Sequence, residues 1–214
     1  GVYWDTEYFQ NEIYEKEAIP SKQWKENNGS PLKIGQVACC YSHLKLLENA
    51  YQNNYQTILL LQDDAYCDVI GGLKEEIIKY HHLISKVNDF DLYYIGKEKV
   101  IKEEVEERYK GTNALVTGYS WNAHAVIFSR NCIEKLLNTS IFQNIIPFDE
   151  YLPICYGKSQ CIEKEYYEKL FPQNLIALSS DTFRRVYQCT YHSSRYKHLI
   201  EAYTTTDIDN SNNI

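Results

Sequence analysis

Thr57-Ile58-Leu59-Leu60-Leu61-Gln62-Asp63-Asp64 is the stretch that decides the fold. Thr57 to Leu61 is an apolar run of strand length. Apolar residues on both faces suit a buried strand in a largely parallel sheet, with helices covering it on either side. The run stops abruptly at Gln62-Asp63-Asp64. Ligands of open α/β sheets bind beyond the carboxyl ends of the strands, so these acids mark the first candidate site.

Working outward, Ile34 to Asn53 has helical spacing, with Val37, Cys40, Leu44, Leu47 and Tyr51 three or four residues apart. Downstream, Gly72 to Val87 reads as a helix with Leu73, Ile77, Tyr80 and Ile84 on one face. Phe90 to Gly96 reads as a second strand ending in glycine. Lys97 to Lys110 is charged and reads as a solvated loop. Ala123 to Phe128 is a third buried strand, followed at once by a helix over Arg130 to Leu137. Pro147 to Pro153 is a loop-to-helix segment bounded by prolines. Leu175 to Leu178 is a further strand. Helices alternating with buried strands predict an α/β sandwich with a mostly parallel central sheet. The sequence reads as a single domain over 1–204 with a polar, fraying tail at 205–214.

Composition narrows the function classes. Hydrophobic residues make up 44%, enough for a sizeable core. The net charge is −7 and no basic stripe is present, which argues against a nucleic-acid binder. No apolar run reaches the length of about 18 residues expected of a membrane span. No secretory leader is recognisable at the Gly1 end, an observation that says little about compartment. Frequent Tyr, Asn, Ile and Lys, with no Met, point to AT-rich coding DNA rather than to an activity. The seven cysteines match no zinc module; Cys39 and Cys40 read as packing residues, and whether Cys155 pairs with Cys161 stays open. Asn28 and Asn138 open glycosylation sequons, which also arise by chance in an Asn-rich chain.

Two adjacent carboxylates at a strand end repel each other unless a cation stands between them. A divalent ion there would bridge them to a diphosphate and neutralise a leaving group. A solvated turn or a helix N-cap explains the same two residues.

Further blocks tilt that balance. Gly35-Gln36-Val37-Ala38-Cys39-Cys40-Tyr41-Ser42-His43 resembles the signature Gly-Glu-Ile-Gly-Cys-x-x-Ser-His of glycosyltransferase family 25, with Gln36 for Glu and Ala38 for Gly. Leu60 to Asp64 resembles that family's strand followed by Glu-Asp-Asp, with Gln62 for Glu. Phe90-Asp91-Leu92-Tyr93-Tyr94-Ile95-Gly96 resembles Trp-Asp-Leu-Ile-Tyr-Leu-Gly. Ser129 to Leu137 resembles Ser-x-x-Gly-Ala-x-Lys-Leu-Leu. Ile146-Pro147-Phe148-Asp149-Glu150-Tyr151-Leu152-Pro153 is similar to Leu-Pro-Val-Asp-Glu-Phe-Leu-Pro of the collagen-modifying branch. The blocks run in the family's order over roughly 33–180.

The resemblance implies a GT-A-like, nucleotide-sugar-binding sandwich. It implies a UDP-sugar donor, UDP-galactose ahead of UDP-glucose, inversion at the anomeric carbon, and Mn²⁺ or Mg²⁺. The acceptor would be a glycan or a collagen-like protein carrying hydroxylysine. Compartment follows the acceptor: endoplasmic reticulum lumen for collagen, cytoplasm for lipooligosaccharide. Asp64 is then the first metal ligand, with Gln62 and His192 as further ones; an amide at position 62 binds metal more weakly than an acid. Asp63 takes metal or a donor hydroxyl. Asp149 and Glu150 are the candidate general bases, or else cap the following helix. Ser42 and His43 hold the strand end or touch the donor, and Lys97 meets a phosphate or solvent. Arg184 and Arg185 clamp diphosphate or face water. Tyr119 and Trp121 stack on a sugar or base, or belong to the core. Family members begin with an Ile- and Leu-rich strand whose Arg-rich continuation helps hold uracil and ribose. The sequence starts past that strand, and a true loss would compromise donor binding. That departure and Gln62 keep a second expectation open, an inactive family member that binds sugar nucleotide or protein. A metal-dependent phosphoesterase is a distant third, because no second carboxylate–histidine cluster is evident.

Overall fold

A computed structural model describes residues 6–26, 29–67, 70–181 and 186–188. Asn28, Arg184, Arg185, Cys189, His192 and the 205–214 tail lie outside the described residues.

Five strands form the central sheet in the order β1-β5-β3-β6-β4. They are β1 (Thr57–Leu61), β3 (Leu92–Lys99), β4 (Leu115–Val116), β5 (Ser120–Ser129) and β6 (Ala177–Ser179). A second, two-stranded sheet pairs β2 (Ala65–Cys67) with β7 (Val186–Gln188). The α/β class holds, but the strand directions differ from expectation. Within the central sheet only β3 and β6 run parallel; β1–β5, β3–β5 and β4–β6 are antiparallel. β1 is an edge strand among the described residues, with Leu61 exposed. Its apolar residues on both sides report cover on both faces, which does not depend on strand direction.

Side chains alternate between two cores. Leu60, Leu92, Tyr94, Val126 and Phe128 face one side of the sheet. There they meet α1 (Ile34–Gln52), α3 (Arg130–Leu137), α4 (Phe148–Cys155) and α5 (Lys164–Leu170). Tyr93, Ile95, Ala125, Ile127 and Leu178 face the other side and α2 (Gly72–Ile84). Each fully buried aliphatic side chain, such as Leu44 or Leu47 of α1, contributes about 1.5–3 kcal/mol relative to exposure.

Local chemistry sets the helix starts. Gln36 Oε1 accepts the Lys33 amide at 2.9 Å, closing a capping box at the start of α1. Ser129 Oγ caps α3 by accepting the Cys132 amide at 3.1 Å. Pro147 precedes α4, with Asp149 and Glu150 in the first turn, where the helix dipole favours acids. Pro153 does not bound that helix but lies inside it. It deletes one helical bond, the one its missing N–H would give to the Asp149 carbonyl.

Two further expectations change. β3 does not stop at Gly96 but runs on to Lys99 through register shifts against β5. The charged stretch after it is largely exposed, as its charges suggest, with Lys102, Glu103, Glu107, Arg108 and Lys110 on the surface, but two of its acids turn inward. Glu106 accepts from buried Lys97 and from the Gly118 amide, and Glu104 accepts the Tyr119 amide at 3.0 Å. Among the cysteines, Cys39 is exposed rather than packed, and Cys155 and Cys161 are both free thiols.

Candidate functional site

The carboxyl ends of β1 and β3 and the start of β5 share one edge of the sheet. The β1 ladder continues one step as the Gln62 amide donates to the His124 carbonyl at 3.0 Å. The chain then turns, closed by the Ala65 amide on the Gln62 carbonyl at 3.0 Å, which puts Asp63 and Asp64 in the middle of the turn. Asp63 is exposed and Asp64 half-buried.

His43 of α1 reaches this turn from below. Its Nδ1 lies 2.7 Å from the Cys39 carbonyl, and its ring stacks on Phe148 at 4.5 Å. A carbonyl only accepts, so Nδ1 carries the proton and Nε2 is an acceptor. Gln62 Nε2, 3.3 Å from His43 Nε2, is therefore the donor. This leaves Gln62 Oε1 buried without a hydrogen-bond partner among the described residues. Burial lowers the His43 pKa, against the pull of Asp149. Ser42 donates to the Ala38 carbonyl at 2.8 Å, within its own helix.

The two acids of α4 have different surroundings. Glu150 is buried, and its Oε1 accepts from Tyr119 Oη at 2.6 Å and Trp121 Nε1 at 2.9 Å. Its Oε2 accepts from Ser159 at 3.4 Å. Asp149 is half-buried in the first turn of α4, with the backbone N–H groups of Asn122 and of Asp149 itself near enough to favour its charged form. Burial raises both carboxyl pKa values; the amides oppose it at Asp149, and the Tyr119 and Trp121 donors at Glu150. Asn122 sits at φ 62°, a left-handed conformation that Asn tolerates, within the irregular stretch of β5. Such bulges re-aim side chains beside binding sites.

His124 belongs to this edge and was not singled out in the sequence. It is buried, and its Nε2 lies 3.0 Å from the Val186 carbonyl, fastening β5 to β7. Its Nδ1 has no hydrogen-bond partner among the described residues. Burial lowers its pKa while Asp64 and Glu98 raise it. Gly96 makes room: a Cβ there would lie 2.4 Å from His124 Nε2 and 2.6 Å from the Val186 carbonyl. A histidine inside an otherwise apolar strand, with a glycine-ended strand nearby, was the available signal. Cys39 also borders the site: although the residue is open to solvent on one side, partial desolvation of its thiol first, then Asp149, Asp64 and Asp63, push it up to about 11. Lys97 is drawn away into its buried pair with Glu106.

The edge thus gathers Gln62, Asp63, Asp64, His43 and Asp149. Ser42 bonds within its own helix, Glu150 is engaged by Tyr119 and Trp121, Lys97 is paired with Glu106, and His192 lies outside the described residues. Gln62, Asp63 and Asp64 offer hard oxygen donors of the type Mg²⁺ or Mn²⁺ takes. Among the described residues, however, no group of three or more His, Cys, Asp and Glu side chains gathers as a metal-ligand set. The described donors therefore do not complete a metal site on their own. No described helix is long and apolar enough to cross a membrane.

Comparison with known proteins adds an independent line. The model of glycosyltransferase family 25 (LPS biosynthesis protein) matches residues 6–152, from the N-terminal segment through Asp149 and Glu150. Procollagen galactosyltransferase 1-A of Xenopus laevis is 28% identical over 153 residues, covering 71% of this chain and 24% of that protein. Procollagen galactosyltransferase 2 of Mus musculus is 28% identical over 183 residues, covering 84% of this chain and 28% of that protein. A glycosyltransferase 25 family member of Aedes aegypti is 23% identical over 185 residues, covering 86% and 29% respectively. The chain spans about a quarter of the length of the curated relatives it matches.

Proposed function

The chain belongs to glycosyltransferase family 25, and from that membership we propose that it transfers a hexose, galactose first, from a UDP-sugar to a hydroxyl acceptor. Residues 1–204 are taken as one transferase domain with a GT-A-like donor site. The names of the relatives point to a procollagen-like acceptor, for which we propose a hydroxylysine hydroxyl, with a glycan hydroxyl as the other candidate acceptor.

One observation carries the reading. The Asp63–Asp64 turn and Asp149, far apart in sequence, come to the same sheet edge through His43, which contacts Gln62 on one side and Phe148 on the other. Inverting transfer needs those two parts together. One end of the site receives the diphosphate and the other takes a proton. In the proposed step Asp149 removes the acceptor hydroxyl proton as that oxygen attacks the anomeric carbon. The carbon–diphosphate oxygen bond breaks on the opposite face, and UDP leaves. Asp149 suits the base because burial holds its proton affinity above that of a solvated acid. Glu150 suits it less, since both its oxygens already accept hydrogen bonds. Mn²⁺ or Mg²⁺, proposed at Asp64 with Gln62, Asp63 and His192 as further donors, would supply charge neutralisation at the leaving diphosphate. Ser42 and His43 hold the strand end from below.

The test is calorimetric titration with UDP, UDP-galactose and UDP-glucose, each with and without Mn²⁺, on the wild type and on Asp64→Ala. The proposal expects Mn²⁺-dependent binding that weakens at least about tenfold in the variant, the equivalent of one lost charge-assisted contact. No UDP binding under any condition defeats it. Gln62 favours a second reading, because its neutral amide stands in the family's acid position and is tied to His43. That reading is a sugar-nucleotide-binding module, and UDP affinity without turnover on any acceptor would establish it.

A further inference from the structure

Trp121 is 38% exposed, yet its one polar atom is fully committed inward. The indole Nε1 donates to Glu150 Oε1 at 2.9 Å and lies 3.0 Å from Tyr119 Oη. Tyr119 in turn donates to the same Glu150 oxygen at 2.6 Å and is itself buried. The ring also meets Tyr119 edge-on, with centroids 6.3 Å apart. Glu150, a buried acid, thereby orients a large aromatic surface. An open aromatic face offers apolar area to a ligand that can lie against it. A ring whose orientation is fixed by hydrogen bonds loses little further freedom when a ligand stacks on it.

Its place in the site says what covers it. Trp121 immediately precedes Asn122, whose backbone lies near Asp149, and the Trp121 indole reaches Glu150, the next residue of α4. Asp149 and Glu150 are neighbours on α4, so the indole stands beside the proposed base. In an inverting transfer the hexose bridges the diphosphate and the attacking hydroxyl, so its ring must pass next to the base. Hexoses present apolar C–H faces. In galactose the axial 4-hydroxyl leaves C3, C4 and C5 hydrogens together on one face, which suits stacking on an aromatic ring.

We infer that the Trp121 indole is the platform for the transferred hexose, and that Glu150 and Tyr119 are positioning residues that hold it. This rests on the UDP-sugar reading above. It adds that the sugar, and not the nucleotide, is what Trp121 recognises, and that galactose gains more from it than glucose.

The experiment compares UDP with UDP-galactose and UDP-glucose by calorimetry in the wild type, Trp121→Ala, Trp121→Phe, Glu150→Ala and Glu150→Gln. The wild type should bind UDP-galactose more tightly than UDP. Trp121→Ala should lose most of that difference, on the order of tenfold for a lost stacking contact, with UDP affinity unchanged. Trp121→Phe should keep part of it. Glu150→Gln still offers an oxygen to both donors and should keep it, whereas Glu150→Ala should lose it in part. If a variant is poorly folded, fluorescence supplies a second readout. The emission present in the wild type and missing in Trp121→Phe should shift with UDP-galactose but not with UDP. An unchanged UDP-galactose to UDP ratio in Trp121→Ala, or a fluorescence shift with UDP alone, overturns the platform while leaving the transferase reading intact. Failure of the wild type to bind UDP at all sinks both.

Discussion

Burial acts on Asp149 in opposite senses for the fold and for the proposed reaction. The folded-state pKa stands above the unfolded value of 3.8 because desolvation outweighs the amide donors. The folded state therefore binds its proton more tightly than the unfolded one. Any stability from this group is present at low pH and is lost as pH rises from about 3.8 through the raised value. At neutral pH the buried charge is a net cost. Asp149→Asn should then raise the thermal midpoint at pH 7, with the gain shrinking to nothing below about pH 4. It should also lower turnover by about 10²–10⁴-fold, the usual weight of a general base. Wild-type turnover in Asp149→Asn would remove the residue from that role. In sequence Asp149 and Glu150 are adjacent acids and equal candidates. What separates them is a pair of aromatic donors about thirty positions upstream, Tyr119 and Trp121, and no local pattern carries that. His124 escaped for the same reason, since its meaning lies in its contact with Val186 and the space above Gly96.

At the scale of elements, the sequence was most legible where one residue pattern determines one geometry. α1 and β1 begin where read because helical periodicity and an unbroken apolar run are local signals, and α3 starts at Arg130 as read, directly after the strand. Strand direction was not legible, because an apolar pattern records cover and not polarity. The charged loop after β3 is mostly exposed, but Glu104 and Glu106 turn inward to satisfy the amides of Tyr119 and Gly118, which a charge pattern alone does not carry. Asp91 makes a similar inward junction at the start of β3. It accepts from Lys135 at 2.9 and 3.0 Å, from Asn131 at 2.8 Å and from the Ile176 amide at 2.8 Å. One carboxylate thus joins β3, α3 and the entry to β6. Asp91→Ala would leave the Ile176 amide and Lys135 without it, at a cost of about 3 kcal/mol, the lower end for a broken buried pair because Lys135 is partly exposed. Asp91→Asn keeps an acceptor and should cost about half as much. Urea denaturation midpoints measure both; a loss under about 1 kcal/mol in Asp91→Ala would show that the junction is redundant.

For the molecule as a whole, the acid turn is held from two sides by neutral histidines. His43 fastens it to α1 and α4, and His124 fastens the central sheet to the β2–β7 pair that follows the turn. Protonating His43 would add a hydrogen to Nε2, which now accepts from Gln62, and set donor against donor. Protonating His124 would put a charge in a buried position. Desolvation lowers both pKa values below 6.5 and wins over the acids that pull the other way, Asp149 for His43 and Asp64 and Glu98 for His124. For a base lowered in the folded state, the unfolded chain binds more protons between the two pKa values. Stability is therefore full above about pH 6.5 and is lost as pH falls from there towards the folded values. Asp149 and Glu150 run oppositely, gaining as pH falls towards their unfolded values of 3.8 and 4.5. The histidine contribution must consequently be read by difference. The thermal midpoint of the wild type minus that of His124→Gln should decline as pH is taken from 7.5 to 5.5, because only the wild type has that buried base to charge. His43→Gln should give a difference of the same sign. A difference that is flat with pH would mean that neither histidine is held neutral by the fold, and that the turn carrying Asp63 and Asp64 does not depend on them.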